Sequence, residues 1–119
     1  MINKKIIGKI GENSATRYLE KNNYEIINRN YSCRFGEIDI IAIDKKTNEL
    51  IFIEVKTRTN LSYGMPIESI NNKKIKHIIN SINYYIMNKK LSNIDIRIDA
   101  IEVILKKNKC YINHIKAIL

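Results

Sequence analysis

The amino-acid sequence predicts an α/β fold: a mixed β-sheet with helices packed on it. Two segments carry apolar residues at helical spacing, the strand-like segments are rich in isoleucine, and the two kinds interleave. Along the 119 residues the order reads helix, three strands, helix, two strands. Strands joined by short turns pair antiparallel, whereas the second helix permits a crossover to a parallel neighbour.

Residues 4–21 read as the first helix. Ile7, Ile10, Ser14, Ala15 and Tyr18 share one face, with Lys9, Asn13, Thr16 and Glu20 on the solvated side. Asn22-Asn23 then marks a stop. Strand-like runs follow at 24–31, 38–44 and 50–57. The first is the weakest in pattern, because Ile26 and Ile27 are adjacent rather than alternating. The second is nearly all isoleucine, as suits a strand buried on both faces. Lys45-Lys46-Thr47-Asn48 supplies a hairpin-type turn before the third. After a loop at 58–66, Ile75, Ile78, Ile79, Ile82, Tyr85 and Ile86 define a long amphipathic helix ending near Lys89-Lys90. Strands at 94–105 and 110–115 complete the chain. No repeat, low-complexity tract or linker interrupts it, so residues 1–119 read as one domain.

Composition narrows the class. No apolar run is long enough to span a membrane, and no cleavable export pattern follows the first residues. A cytoplasmic protein without membrane partners is the expectation. Cys33 and Cys110 lie far apart, with no second cysteine or histidine at ligand spacing, which favours reduced thiols over a disulfide or zinc site. The net charge of +9 suits a polyanionic partner. Lysine shares in a bias toward isoleucine, asparagine and lysine, so Arg17, Arg29, Arg34, Arg58 and Arg97 are the more informative cations.

Two segments carry chemistry. In Gly36-Glu37-Ile38-Asp39-Ile40-Ile41 a turn glycine leads into an apolar strand. In Phe52-Ile53-Glu54-Val55-Lys56-Thr57-Arg58, strand alternation points Glu54 and Lys56 to one face and Ile53 and Val55 to the other. Charges inside such apolar strands are costly unless compensated. If the strands form a hairpin, Asp39 and Glu54 come close enough to grip one hard cation, and Lys56 can orient or deprotonate a water. The plainer reading is an ordinary Glu54–Lys56 ion pair, with Asp39 capping a turn. Glu12 lies at the rim of the apolar face of the first helix, where it can serve as a further ligand or base, or simply as a surface glutamate. Lys74, at the edge of its helix face, must snorkel out or find an anion. Lys73, Lys76 and His77 read as solvated or loose phosphate contacts. The loop after Arg58, with Tyr63 and Gly64, can hold a backbone or stack a base. Arg97 and Asp99 read as a structural ion pair.

These segments resemble the YraN family of small bacterial proteins. The likeness extends through Gly11-Glu12, Asn28-Arg29-Asn30-Tyr31, Tyr63-Gly64-Met65-Pro66, Lys74 and Arg97-Ile98-Asp99. That family is similar to the restriction-endonuclease-like PD-(D/E)XK superfamily, nearest to archaeal Holliday junction resolvases. The resemblance implies an α/β/α sandwich on a central mixed sheet. It also implies a catalytic set of Glu12, Asp39, Glu54 and Lys56, with Mg²⁺ or Mn²⁺ held at Asp39, Glu54 and Val55. Ile38 stands where the superfamily name has proline. The expected activity is metal-dependent hydrolysis of DNA, branched or junction DNA included, with Arg34, Arg58, Tyr63 and Lys74 contacting nucleic acid, and a homodimer as resolvases form. The alternatives are a nucleic-acid-binding module that kept the fold and lost turnover, and a scaffold whose charges only form ion pairs.

Overall fold

Asparagine side chains open both helices. In the computed structural model, which describes residues 3–59 and 71–119, Asn3 Oδ1 accepts the Ile6 N–H at 2.9 Å to start α1 (Lys4–Lys21). Asn71 caps α2 (Asn72–Asn88) in the same way, accepting from Lys74 N at 2.9 Å. α1 ends where the Asn22 N–H returns to Leu19 O and Asn23 turns left-handed.

Five strands form one sheet in chain order: β1 (Tyr24–Cys33), β2 (Gly36–Asp44), β3 (Glu49–Arg58), β4 (Ile96–Lys106) and β5 (Lys109–Ile115). Neighbours pair antiparallel except β3 and β4, which are parallel and joined across α2. α1 covers one face, with Ala15 and Leu19 against Ile40, Ile51, Ile53, Ile101 and Val103. α2 covers the other, with Ile78, Ile82 and Tyr85 against Ile38, Ile41, Phe52 and Ile98. The result is the mixed sheet with packed helices expected from the order of elements, in the α/β/α arrangement that the family resemblance implies. Among the described residues no helix is long and apolar enough to cross a membrane. Cys33 and Cys110 are free thiols.

Two local expectations need correction. β1 is a full ten-residue strand rather than a marginal one. A bulge between Ile26 and Asn28 absorbs the adjacent isoleucines, so Ile26 packs inward while Ile27 faces out. The buried face of α1 is also rotated from the one periodicity suggests. Gly11, Ser14, Ala15, Thr16 and Leu19 are buried, and Ile10 is exposed. Thr16 tolerates burial because its hydroxyl donates to Glu12 O at 2.8 Å. Gly11 fixes the rotation: a Cβ there would lie 1.7 Å from Thr57 Oγ1, so only glycine lets α1 seat on β3.

At the end of the sheet formed by the β2–β3 turn, Arg97 organises a buried polar cluster. It grips Asp99 through Nε and Nη2, each at 2.9 Å. Nη1 reaches Asp44 and Glu49, both at 3.1 Å, and Nη2 reaches the Tyr24 hydroxyl at 3.0 Å. His114 Nε2 lies 2.7 Å from Asp99 and its Nδ1 lies 2.9 Å from the Tyr18 hydroxyl. A neutral ring can donate to the first and accept from the second. Burial alone would raise the Asp99 carboxyl, but bonds from His114, Arg97 and the Ala117 N–H hold it below its usual range. The Arg97–Asp99 pair expected from sequence is therefore the centre of a larger clasp tying α1, β2, β3 and β5 together.

Replacing Arg97 by methionine leaves Asp99 and Asp44 buried without their cation. The expected loss is about 3–5 kcal/mol, read as a lower urea midpoint; an unchanged midpoint contradicts the clasp. Gly11→Ala is expected to cost about 1–3 kcal/mol by overpacking, and Thr57→Ala in the same chain should recover part of it.

Candidate active site

The β2–β3 ladder runs from Asp44↔Glu49 to Ile40↔Ile53 and stops there. Both strands continue, β2 paired with β1 back to Gly36 and β3 paired with β4 out to Arg58. In an unbroken ladder the next rung would set Asp39 opposite Glu54, two carboxylates on neighbouring strands. Instead Asp39 Oδ2 accepts the Val55 N–H at 2.7 Å, so a side chain takes the place of a backbone acceptor. The splayed strands leave a gap that Asp39 fills.

Electrostatics at the gap are strained. Burial is the main cause that raises the Asp39 carboxyl to about 7; the Glu54 charge adds to it, while the Val55 N–H and Lys74 oppose it. Glu54, on the α2 side, is nearly buried at 11% side-chain exposure. Its Oε1 lies 2.6 Å from Lys74 Nζ and 3.7 Å from Lys56 Nζ. Two ammonium groups thus share one carboxylate oxygen. Burial, and then the Lys74 ammonium, push the Lys56 amine down, although Glu54 and Asp39 resist. Lys74 moves the other way: burial opposes its charge, and its bond to Glu54 outweighs that cost.

Glu12 approaches from α1. Arg29 Nε donates to Glu12 Oε1 at 3.0 Å and Asn30 Nδ2 donates to the same oxygen at 2.9 Å. Arg29 Nη2 also holds Asn13 Oδ1 at 2.6 Å. Asn30 reaches this position with a left-handed backbone, φ 54, which asparagine tolerates better than most residues. Cavities open on both sides of the gap. One of about 490 Å³, on the α2 side, is lined by Asp39, Glu54, Lys73, Lys74 and His77 among others. One of about 540 Å³, on the α1 side, is lined by Lys5, Lys9, Glu12, Arg29, Asp39 and Val55 among others. Asp39 and Glu37 border both.

Hard oxygen donors are what Mg²⁺ or Mn²⁺ prefer, and Asp39 and Glu54 supply them. Val55 can contribute only its main-chain carbonyl. Among the described residues no three histidine, cysteine, aspartate or glutamate side chains form a metal-binding group. A cation here would therefore complete its shell with main-chain and water oxygens. Mg²⁺ commonly does so.

The structure thus brings Asp39, Glu54, Lys56 and Lys74 together, with Glu12 on the opposite side of Asp39. Lys74 finds the anion its helix position demanded. Arg34 is exposed in the β1–β2 turn, its guanidinium 4.8 Å from the Phe35 ring centre. Arg58 is not an open phosphate contact: its Nε lies 3.4 Å from Glu102 Oε2, and both side chains are largely buried. Tyr63 lies outside the described residues. Sequence reasoning missed Arg29 and Asn30 as the clamp on Glu12. The only signal was their place in the 28–31 motif, which carried no role.

The sequence pattern described as Uncharacterised protein family UPF0102 matches residues 11–103. A UPF0102 protein of Clostridium beijerinckii is 49% identical over 114 residues, covering 94% of this chain and 91% of that one. One from Clostridioides difficile is 46% identical, with 96% of each chain covered. One from Caldanaerobacter subterraneus is 38% identical over 118 residues, covering 99% and 95%.

The raised Asp39 carboxyl has a consequence for stability. An acid whose folded value lies above its unfolded value stabilises the fold while protonated, and that contribution is lost as pH rises through the folded value. The metal-free protein is expected to lose stability between pH 4 and about 7 through this group. Chemical denaturation across that range should show the decline in the wild type and a flatter profile in Asp39→Asn; equal slopes contradict the assignment.

Proposed function

From a chain that belongs to the UPF0102 family and carries a buried carboxylate pair beside a lysine, we propose a metal-dependent endodeoxyribonuclease that hydrolyses phosphodiester bonds. The observation that carries the proposal is the gap between β2 and β3. There Asp39 and Glu54 line a cavity, with the Lys56 amine 3.7 Å from Glu54, against the electrostatic cost of burial. The resemblance to restriction-endonuclease-like enzymes and Holliday junction resolvases supports the same reading and favours branched DNA. Symmetric cutting of a junction takes two such sites, so the proposal includes a twofold homodimer.

Asp39, Glu54 and the Val55 carbonyl would hold Mg²⁺ or Mn²⁺. Bound there, the cation would polarise the scissile phosphate and stabilise the charge that develops on it. Lys56, whose amine is pushed down by burial and by Lys74, can accept the proton of the attacking water at Nζ. The water oxygen bonds to phosphorus, the bond to the leaving oxygen breaks, and that oxygen takes a proton from solvent. Lys74 neutralises Glu54 and lies close enough to turn to a phosphate oxygen. Arg29 and Asn30 fix Glu12 Oε1 on the α1 side of the gap, beside the cavity that Asp39 also lines.

A second reading, a nucleic-acid-binding module without turnover, draws on one observation. Lys74 lies 2.6 Å from the Glu54 oxygen that a cation would use. Cleavage decides between the two. A labelled four-way junction, flap, single strand and duplex are each incubated with Mg²⁺, Mn²⁺ or chelator. The nuclease reading predicts metal-dependent cutting that Glu54→Gln abolishes and Lys56→Ala lowers by about 100-fold or more. Salt-sensitive binding without cutting, unchanged in Glu54→Gln, supports the binding module instead.

A further inference from the structure

On the α2 side the sheet runs from the gap, past the buried Arg58–Glu102 pair, to the exposed β4–β5 hairpin. α2 packs chiefly on β2. Strand alternation puts Glu54, Lys56 and Arg58 of β3 on this face. The parallel register sets Lys56 level with Glu102 and Arg58 level with Ile104, so Glu102, Ile104 and Lys106 continue the same face on β4. On β5 the pairs Ile104↔Tyr111 and Lys106↔Lys109 add Tyr111 and Lys109. Ile112 and His114 alternate to the α1 side, where Ile112 packs with Val103 and His114 meets Tyr18.

β3 and β4 run parallel, so the hairpin tip projects past the same end of the sheet that carries the carboxylates. At ~3.3 Å per residue and ~4.8 Å between strands, Lys106 lies about 14 Å from Lys56 at the backbone. That is roughly four nucleotide steps of one DNA strand at 3.4 Å each. Ile104, Lys106, Lys107, Lys109 and Tyr111 line a single concavity of about 480 Å³. The three lysines are exposed, and the Tyr111 ring is 50% exposed despite its apolar bulk. Lys107 and Asn108 both adopt left-handed backbone in the turn, which holds Lys106 and Lys109 directly opposite each other. Like charges across a strand pair repel unless an anion bridges them.

We propose that the β4–β5 hairpin is a nucleic-acid grip: Lys106, Lys107 and Lys109 hold backbone phosphates a few nucleotides from the bond at Asp39 and Glu54, and Tyr111 stacks on an unpaired base. The inference rests on the nuclease or binding reading of the gap and names the part of the substrate that this face engages. Phosphate contacts supply affinity and register, and the aromatic ring favours single-stranded or branched segments over closed duplex.

The discriminating experiment compares two variants of equal charge in the full chain. Lys106→Gln/Lys107→Asn/Lys109→Gln empties the hairpin. Lys45→Gln/Lys46→Gln/Lys89→Gln removes three exposed lysines from the opposite end of the sheet. Binding of a labelled four-way junction is followed from 50 to 200 mM salt, with chelator present so that no cutting intervenes. The hairpin variant should lose about one unit of salt slope per lysine and bind at least about tenfold more weakly, while the distal variant stays close to wild type. Tyr111→Ala should weaken binding of a single strand by about tenfold and of a duplex far less. Equal losses in both lysine variants, or no loss in either, overturn the grip and leave the nuclease reading standing. A wild type that binds no DNA at all overturns both.

Discussion

A single main-chain hydrogen bond, lost by one strand and taken up by a side chain, sets the character of this molecule. The β2–β3 ladder ends at Ile40↔Ile53 because the next rung would pair Asp39 with Glu54 in an apolar sheet. Asp39 instead turns its carboxylate onto the Val55 N–H. The bond satisfies a buried donor and gives the carboxylate a partner, but it leaves a second negative charge nearby that, among the described residues, Lys56 and Lys74 balance. Everything else at the site answers that imbalance: Lys74 from α2 and Lys56 from β3 on one side, and Glu12 held back by Arg29 and Asn30 on the other.

A second buried acid, on β4 one register position from Glu54, meets the same problem differently. Asp99 is fully buried, yet bonds from Arg97, His114 and a backbone N–H hold its charge. Arg97 also neutralises Asp44 and Glu49 and reaches Tyr24. The two clusters therefore contrast in how completely their acids are compensated. One carboxylate is locked below its normal range and the other rises to about 7. A fully paired acid serves structure, whereas an under-compensated one beside a cavity is poised to take a cation or a proton. The clasp secures β4 beside β3 directly behind Glu54.

Much of this was legible in the chain itself. The order of elements, the parallel crossover across α2, the shared face of Glu54 and Lys56, and the Arg97–Asp99 pair all follow from alternation and spacing. Other features depend on contacts that no local pattern encodes. The face of α1 is set by Gly11 against Thr57, so a count of apolar residues rotates it wrongly and places Ile10 inside. The adjacent Ile26 and Ile27 spoil the alternation of β1 only until a bulge resolves them. Arg58 reads as a phosphate contact beside a charged strand, but its register partner Ile104 places it next to Glu102, and that acid claims it. The clamp of Arg29 and Asn30 on Glu12 joins a strand bend to a helix and has no signature in either segment alone.

The central claim is that the gap between β2 and β3 holds a divalent cation through Asp39 and Glu54. Electron paramagnetic resonance of Mn²⁺ titrated into the protein at pH 8 tests it without nucleic acid or turnover, because free and bound Mn²⁺ give distinct signals. The account predicts saturable uptake of one ion per chain, competed by Mg²⁺ and weakened at least tenfold in Asp39→Asn. Absence of saturable uptake, or uptake indifferent to that substitution, would contradict it.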